Sequence, residues 1–331
     1  MLNNEEVFIN HDYPRRNLQK KGGGHRFNDC IIQKKQDYYE DINGNKIIGL
    51  YNELEFVFRG HNSVIEIGEN VYLKNCKVCV CNNSRIMFGD NVDFMESTIN
   101  IDNEATVEIK YGCKISNIEL DVGNKARVVL NRKITIMGDR TRWSISDKAR
   151  VEVGDRGRFW DGTMRLAKNT LLKIGNDFSV GYKYNIVLYE QTRVIIGEDC
   201  MFSYEVYLRS NDGHSIFDIK SGKNINSTED IRKSRMIIIG NHVWVGMRAT
   251  ILYNTKIGDG SIVGAASLVK GIFPNNCIIG GITAKVIKTD IAWSRKQGAN
   301  DIIECGKDYV RLTEEMEKND ISYMSTTTNY K

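Results

Sequence analysis

The strongest constraint on this chain is an internal period. Short apolar runs end at Ile67, Phe88, Ile109, Leu130, Val153, Ile174 and Ile196, at spacings of 21, 21, 21, 23, 21 and 22 residues. Two residues before each of these stands Ile65, Ile86, Val107, Val128, Val151, Leu172 or Val194. An apolar–x–apolar triplet is how a strand with one buried face is written. Gly68, Gly89, Gly154, Gly175 and Gly197 follow directly and mark corners. A fixed period of this length, carried by strands, predicts a solenoid. Leucine-rich repeats share the length, but their Leu/Asn spacing is missing. A β-helix remains, with rungs stacked about 4.8 Å apart around one continuous core.

Past about residue 236 the rhythm shortens. Ile239, Val245, Ile251, Ile257, Val263 and Val269 recur every six residues, and Gly240, Gly246, Gly258 and Gly264 follow four of them. One inward aliphatic per six residues places one strand on each face of a triangular prism, so three make an 18-residue rung. The 2 prolines and 29 glycines fit a chain of ladders and tight corners. The reading is one β-helix over 45–288, with roughly eleven rungs. It is preceded by an irregular segment or cap over 1–44 and followed by a tail over 289–331, in which KDYVRLTEEMEK reads as helix.

Several functions are disfavoured at this stage. A net charge of +4 on 331 residues is weak for a nucleic-acid binder. No run approaches the roughly 18 apolar residues of a spanning helix, and MLNNEEVFINHDYPRR has no apolar signal core. No membrane insertion and a cytoplasmic location are therefore expected. The 8 cysteines should be free thiols. CKVCVC, with Cys76, Cys79 and Cys81, lacks a second ligand pair. It reads as small apolar filler, and no metal is expected.

The period breaks once. From Ile196 to Ile239 is 43 residues, about two periods. Polar SGKNINSTEDIRKSR lies inside, so a loop excursion is expected over 215–235. Long loops on rigid scaffolds are where function tends to sit. His214 stands at its start, flanked by Asp212 and Asp218. An imidazole beside a carboxylate suits a general base, although a solvated surface histidine reads the same way. His11, His25 and His61 read as surface residues, and His242 in GNHVWVG as a polar corner filler.

From about 172 to 290 the sequence resembles the hexapeptide-repeat acyltransferases. It is closest to bacterial sugar and polysaccharide O-acetyltransferases, the group that includes galactoside and maltose acetyltransferases. SNDGHSIFD, INSTEDI, NHVWVG, IGDGSIVGAASLVKGIFPNN and GGITAKVIK occur in the family's order. The resemblance implies an all-β fold, a left-handed parallel β-helix, although left-handed crossovers are rare among parallel strands. It implies acetyl-CoA as co-substrate, a saccharide acceptor and a homotrimer with sites between neighbours. His214 matches the general base. Asn185, in YKYNIVL, loosely matches the oxyanion donor. Trp244 matches the tryptophan of the acceptor pocket, where Asp212 is also placed. Gly246, Met247 and Ala265 match positions along the pantetheine arm, and Lys270, Lys285 and Lys288 match basic positions toward the nucleotide end. GGITAK departs from the family's usual GGNPAK.

The resulting expectation is O-acetylation of a saccharide hydroxyl in capsular or other surface-polysaccharide synthesis. N-acylation of an amino-sugar nucleotide is the alternative, and a binding solenoid without chemistry is a third. A γ-type carbonic anhydrase would need three zinc histidines, which these rungs do not offer.

Overall fold

A computed structural model describes residues 25–26, 33–34, 38–49, 54–226 and 236–314. Cys30, His11 and the end of the tail, including TTTNYK, lie outside the described residues. The chain climbs a three-faced prism. On the first face Cys76–Val80 pairs in parallel with Thr98–Ile101, and that strand with Ile118–Val122. On the second face Val64–Ile67 pairs with Arg85–Phe88, and that strand with Thr106–Ile109. The third face carries ten parallel strands, from Tyr72–Lys74 to Ile278–Gly280, before Lys285–Lys288 turns back antiparallel on the last of them.

The column that the period predicts is present. Ile67, Phe88, Ile109, Leu130, Val153, Ile174, Ile196, Ile239, Ile257 and Phe273 are successive ladder partners. Each is buried. The six-residue register also holds. Ile239 and Ile257 lie on the second face, Val245 and Val263 on the third, and Ile251 and Val269 on the first, all of them buried. Inside the prism, aromatic rings stack along the axis. Phe159 lies 5.3 Å from Trp143 and 5.4 Å from Phe178, and Phe178 lies 5.0 Å from Phe202. The Trp143 indole nitrogen donates to the Tyr184 hydroxyl at 2.8 Å, which satisfies both polar tips within the core.

Corners repeat as faithfully as faces. Asn62, Asn83, Glu104, Lys125, Lys148, Asn169 and Gln191 hold left-handed φ values between 54° and 61° at one corner, one per rung. The strain is repaid by ladder bonds to the rung before, such as Lys125 N–H to Asn103 O and Lys148 N–H to Asn124 O. Asn82, Asn103, Asn124 and Asp147 run beside them as a side-chain hydrogen-bond ladder with steps of 2.7, 3.0 and 3.2 Å.

Cys76, Cys79, Cys113, Cys200 and Cys277 are free, buried thiols, and burial pushes Cys200 up to about 12. At the N-terminal end Tyr38–Glu40 pairs antiparallel with Lys46–Ile48, over a turn in which Asp41 accepts from the Asn43 and Asn45 amides at 2.9 Å. The tail differs from the sequence expectation. In place of a helix through KDYVRLTEEMEK, the described part makes two short 3₁₀ turns, Ile302–Cys305 and Lys307–Tyr309, and then runs irregularly to Glu314. Tertiary bonds override helix propensity there. The Asn276 side chain donates to Tyr309 O at 2.6 Å, Asn275 N–H donates to Glu314 O, and Arg311 pairs with Asp259.

Candidate active site

Ile196 is the direct ladder partner of Ile239, so the 43 residues between them climb only one rung. The chain leaves the prism after the strand Tyr207–Arg209 and re-enters at Met236–Ile239. Ser210 anchors the exit. It is fully buried, and its hydroxyl oxygen accepts from Tyr189 N–H at 2.8 Å and from the Thr192 hydroxyl at 2.9 Å. Gly213, at φ +88°, then closes a turn in which its N–H donates to the Asn211 side chain. A small hairpin follows, bridged by Phe217 and Asn224. Asn226 ties it down by donating to His214 O at 2.8 Å and to Asp212 Oδ2 at 3.2 Å, while accepting from Ile216 N–H at 2.7 Å.

His214 therefore sits where a fixed turn meets a pinned hairpin. Its ring is exposed, and no hydrogen bond to it exists among the described residues. Neither flanking carboxylate orients it. Asp212 accepts from the Tyr253 hydroxyl at 2.9 Å as well as from Asn226. Asp218 caps Ser221 at 2.7 Å, and the Ser221 hydroxyl and amide hold its carboxyl below the usual range. The backbone under the ring is thus fixed while the imidazole is free to reach a ligand. Tyr253, which the sequence reading passed over, joins Asp212 to Lys270, whose ammonium lies 4.2 Å from the Tyr253 ring centroid.

The remaining expected residues are spread over several faces and corners. Lys270 is at the corner between the first and second faces, with Asp212 and Tyr253, and is separate from Gly246. Gly246, Met247 and Ala265 form the corner between the third and first faces. A Cβ on Gly246 would lie 2.7 Å from Ala265 N, so close rung stacking alone already demands glycine there. Met247 is 42% exposed on that corner. Trp244 points outward from the third face between Met201 and Ile262, 38% exposed, with its ring 5.9 Å from Trp293. It is not on the face or corner that carries His214. Asn185 faces outward on the first face, one rung before Tyr207, and its side-chain amide makes no hydrogen bond among the described residues. Lys285 and Lys288 are exposed on the final strand.

His242 is a different kind of histidine. It is 4% exposed and lies between the rings of Trp293 at 4.0 Å and Tyr309 at 4.7 Å, nearly parallel to both. Its Nδ1 lies 2.6 Å from Asp199 Oδ2 and its Nε2 lies 2.9 Å from Trp293 O. Arg295 also pairs with Asp199. Burial pushes the Asp199 carboxyl up, but the His242 hydrogen bond and the Arg295 charge outweigh it, and the group rests below its ordinary value. The network buckles the tail onto the prism, so the corner residue His242 also anchors the tail. Trp293 and Arg295 gave no sequence signal for this role, because their partners lie 51 and 96 residues away.

Hexapeptide-register rungs, an excursion after DGH and small residues along a corner define a class, the bacterial transferases built on hexapeptide repeats. The family model for bacterial transferase hexapeptides (six repeats) matches residues 236–271. The polysialic acid O-acetyltransferase of Escherichia coli O1:K1 / APEC is 36% identical over 156 residues, covering 46% of this chain and 48% of that protein. The chain thus spans about half the length of that relative. The polysialic acid O-acetyltransferase of Neisseria meningitidis is 30% identical over 182 residues, covering 55% of this chain and 77% of that protein. The crystal structure of the polysialic-acid-specific acetyltransferase NeuO is 24% identical, with a TM-score of 0.44, over 85% of this chain and 94% of that one. The chain belongs to the hexapeptide-repeat O-acetyltransferase family, and its all-β parallel β-helix is in keeping with that membership. Among the described residues no helix is long and apolar enough to cross a membrane.

Proposed function

We propose that this protein moves an acetyl group from acetyl-CoA to a hydroxyl of a bacterial surface polysaccharide, with His214 as general base. The observation that carries the reading is the placement of His214. It is a solvent-facing imidazole on a backbone pinned by Ser210, Gly213 and Asn226, at the point where, among the described residues, the rung pattern opens. The relatives' names supply the substrate class. Their acceptors are polysialic acid, and acetyl transfer to oxygen is their common reaction.

In this reading the free His214 nitrogen takes the proton of the acceptor hydroxyl as that oxygen attacks the thioester carbonyl; the C–S bond then breaks, and His214 returns the proton to the departing CoA sulfur. Asp212, held by Tyr253 and Asn226, supplies a fixed negative charge and an acceptor for a sugar hydroxyl. The outward amide of Asn185 is the donor offered to the developing oxyanion. Acetyl-CoA supplies the activated acyl group. The corner of Gly246 and Ala265 gives it a smooth backbone strip beside exposed Met247, and Lys285 and Lys288 give cations for phosphates at the C-terminal end.

His214 and Trp244 occupy different parts of one prism, so a site that uses both is completed by a second copy. A homotrimer with prisms side by side does this. The test is twofold. Thiol release from acetyl-CoA should require a polysaccharide acceptor, and light scattering should give about three times 37.8 kDa. A monomer with full activity would sink the shared-site arrangement, and the absence of acceptor-dependent release would sink the activity.

A further inference from the structure

On the corner of Gly246 and Met247, but N-terminal to them, three aromatic side chains stand one per rung. They are Trp160, Tyr182 and Tyr204. Trp160 and Tyr182 have ring centroids 5.7 Å apart with planes 26° from parallel, and Tyr182 and Tyr204 are 5.9 Å apart at 41°. Backbone bonds step along the same corner. Glu205 N–H donates to Tyr182 O, Arg248 N–H to Tyr204 O and Ala266 N–H to Met247 O, so the aromatic line runs straight on into Met247 and Ala265.

The strip faces water. Tyr182 is 48% and Tyr204 is 52% exposed, Trp160 is partly exposed, and neither hydroxyl makes a hydrogen bond among the described residues. It is also built. A Cβ on Gly181 would lie 2.5 Å from Tyr204 Cδ1, so the glycine makes the space in which that ring lies against the backbone. Arg158, two residues before Trp160 on the same outward side, is exposed and has no carboxylate partner among the described residues.

We propose that the Trp160–Tyr182–Tyr204 strip is a glycan track, which holds pyranose units of a polysaccharide along the corner between the third and first faces, on the N-terminal side of Met247. Pyranose rings carry C–H faces that pack on aromatic surfaces, while their hydroxyls need partners at the rim. The strip offers both, with unpaired phenol hydroxyls and Arg158 beside the rings. A protein partner fits less well. Three half-exposed aromatic side chains offer on the order of 300 Å², against roughly 1,000 Å² for a specific protein interface. The choice of ligand rests on the acetyl-transfer reading above, whereas the strip and its exposure do not.

The test uses the full chain and two probes, maltohexaose as a neutral glycan and an α2,8-linked sialic acid hexamer as an acidic one. Binding is read by saturation-transfer NMR without acetyl-CoA, so it does not depend on turnover. At least one hexamer should bind the wild type, and the Tyr182→Ala/Tyr204→Ala double variant should weaken that binding about tenfold. Where turnover is measurable, KM for the hexamer should rise with kcat unchanged, and KM for the corresponding monosaccharide should not move. If neither hexamer binds, or if the double variant binds as the wild type does, the track is refuted. A variant that loses its oligomeric state refutes it too, because the strip would then be a contact between copies. Glycan binding without acetyl transfer would leave the track standing and remove the activity.

Discussion

Replacing His242 with alanine gives a sharp test of how the tail is held. The imidazole nitrogens lie within hydrogen-bonding distance of a carboxylate and a carbonyl, and the ring is sandwiched between two others. A hydrogen bond to a charged partner is worth about 1.5–3 kcal/mol and a neutral one about 1. Each aromatic contact adds about 0.5–1.5. Asp199 keeps Arg295, so its charge is not left bare. The local loss is therefore on the order of 4 kcal/mol. In a solenoid each rung touches only its neighbours, so the loss should stay local. Residues 289–314 should detach while the prism remains folded. At about 1.4 kcal/mol per decade, hydrogen exchange at the Trp293 indole should speed up roughly 10²–10³-fold, with the amides of the 64–210 rungs unchanged. Tail protection within threefold of the wild type would refute the anchor. So would a loss of β-structure along the whole prism, which would mean that the coupling is global.

Other outcomes follow from the same geometry. His214→Ala should lower kcat by about 10²–10⁴ while acetyl-CoA still binds, as titration calorimetry would show, and His242→Ala should change kcat by less than about tenfold. Near-normal turnover in the His214 variant would end its assignment as base. Tyr184→Phe removes the acceptor of the buried Trp143 N–H and should cost about 1–3 kcal/mol, read as a lower urea midpoint with far-UV circular dichroism preserved. Acid should loosen the tail. The Asp199 carboxyl is depressed in the folded chain, so its stabilisation is complete above the unfolded value near 3.8 and is lost as pH falls through the lower folded value. Trp293 fluorescence should change as pH falls below about pH 4.

The fold was legible because a solenoid repeats its evidence. One inward aliphatic such as Ile109 says little, but ten ladder partners from Ile67 to Phe273 are a pattern that can be read without coordinates. The excursion was legible for the same reason, as an interval that did not fit. The tail was not. Helical propensity over KDYVRLTEEMEK is local information, and the bonds that defeat it reach from Tyr309 to Asn276 and from Arg311 to Asp259. The grouping of Lys270 was missed for a related reason. The resemblance grouped it with Lys285 and Lys288 toward the nucleotide end, whereas the prism puts it at the corner between the first and second faces, beside Tyr253. Tyr253 reads as an ordinary strand-end aromatic until the turn at Asp212 is folded against it.

The reason chemistry gathers at His214 is itself a consequence of the repeat. A stack of equal rungs has flat faces and identical corners, and such a surface has no concavity that could isolate one hydroxyl from water. At the corner between the first and second faces, left-handed residues from Asn62 to Gln191 close each rung in register, and the line resumes at Asn254. The single rung between them is where the chain departs after buried Ser210. Departure exposes the corner of the next rung, and Tyr253 stands on it, reaching back to Asp212. Ladder pairing holds both ends of the gap, at Arg209 and at Met236, so the excursion cannot slide. Its hairpin costs the scaffold only the one corner. A rigid prism can therefore carry a long, polar, ligand-facing loop without loss of order on either side, which is the condition a positioned general base requires.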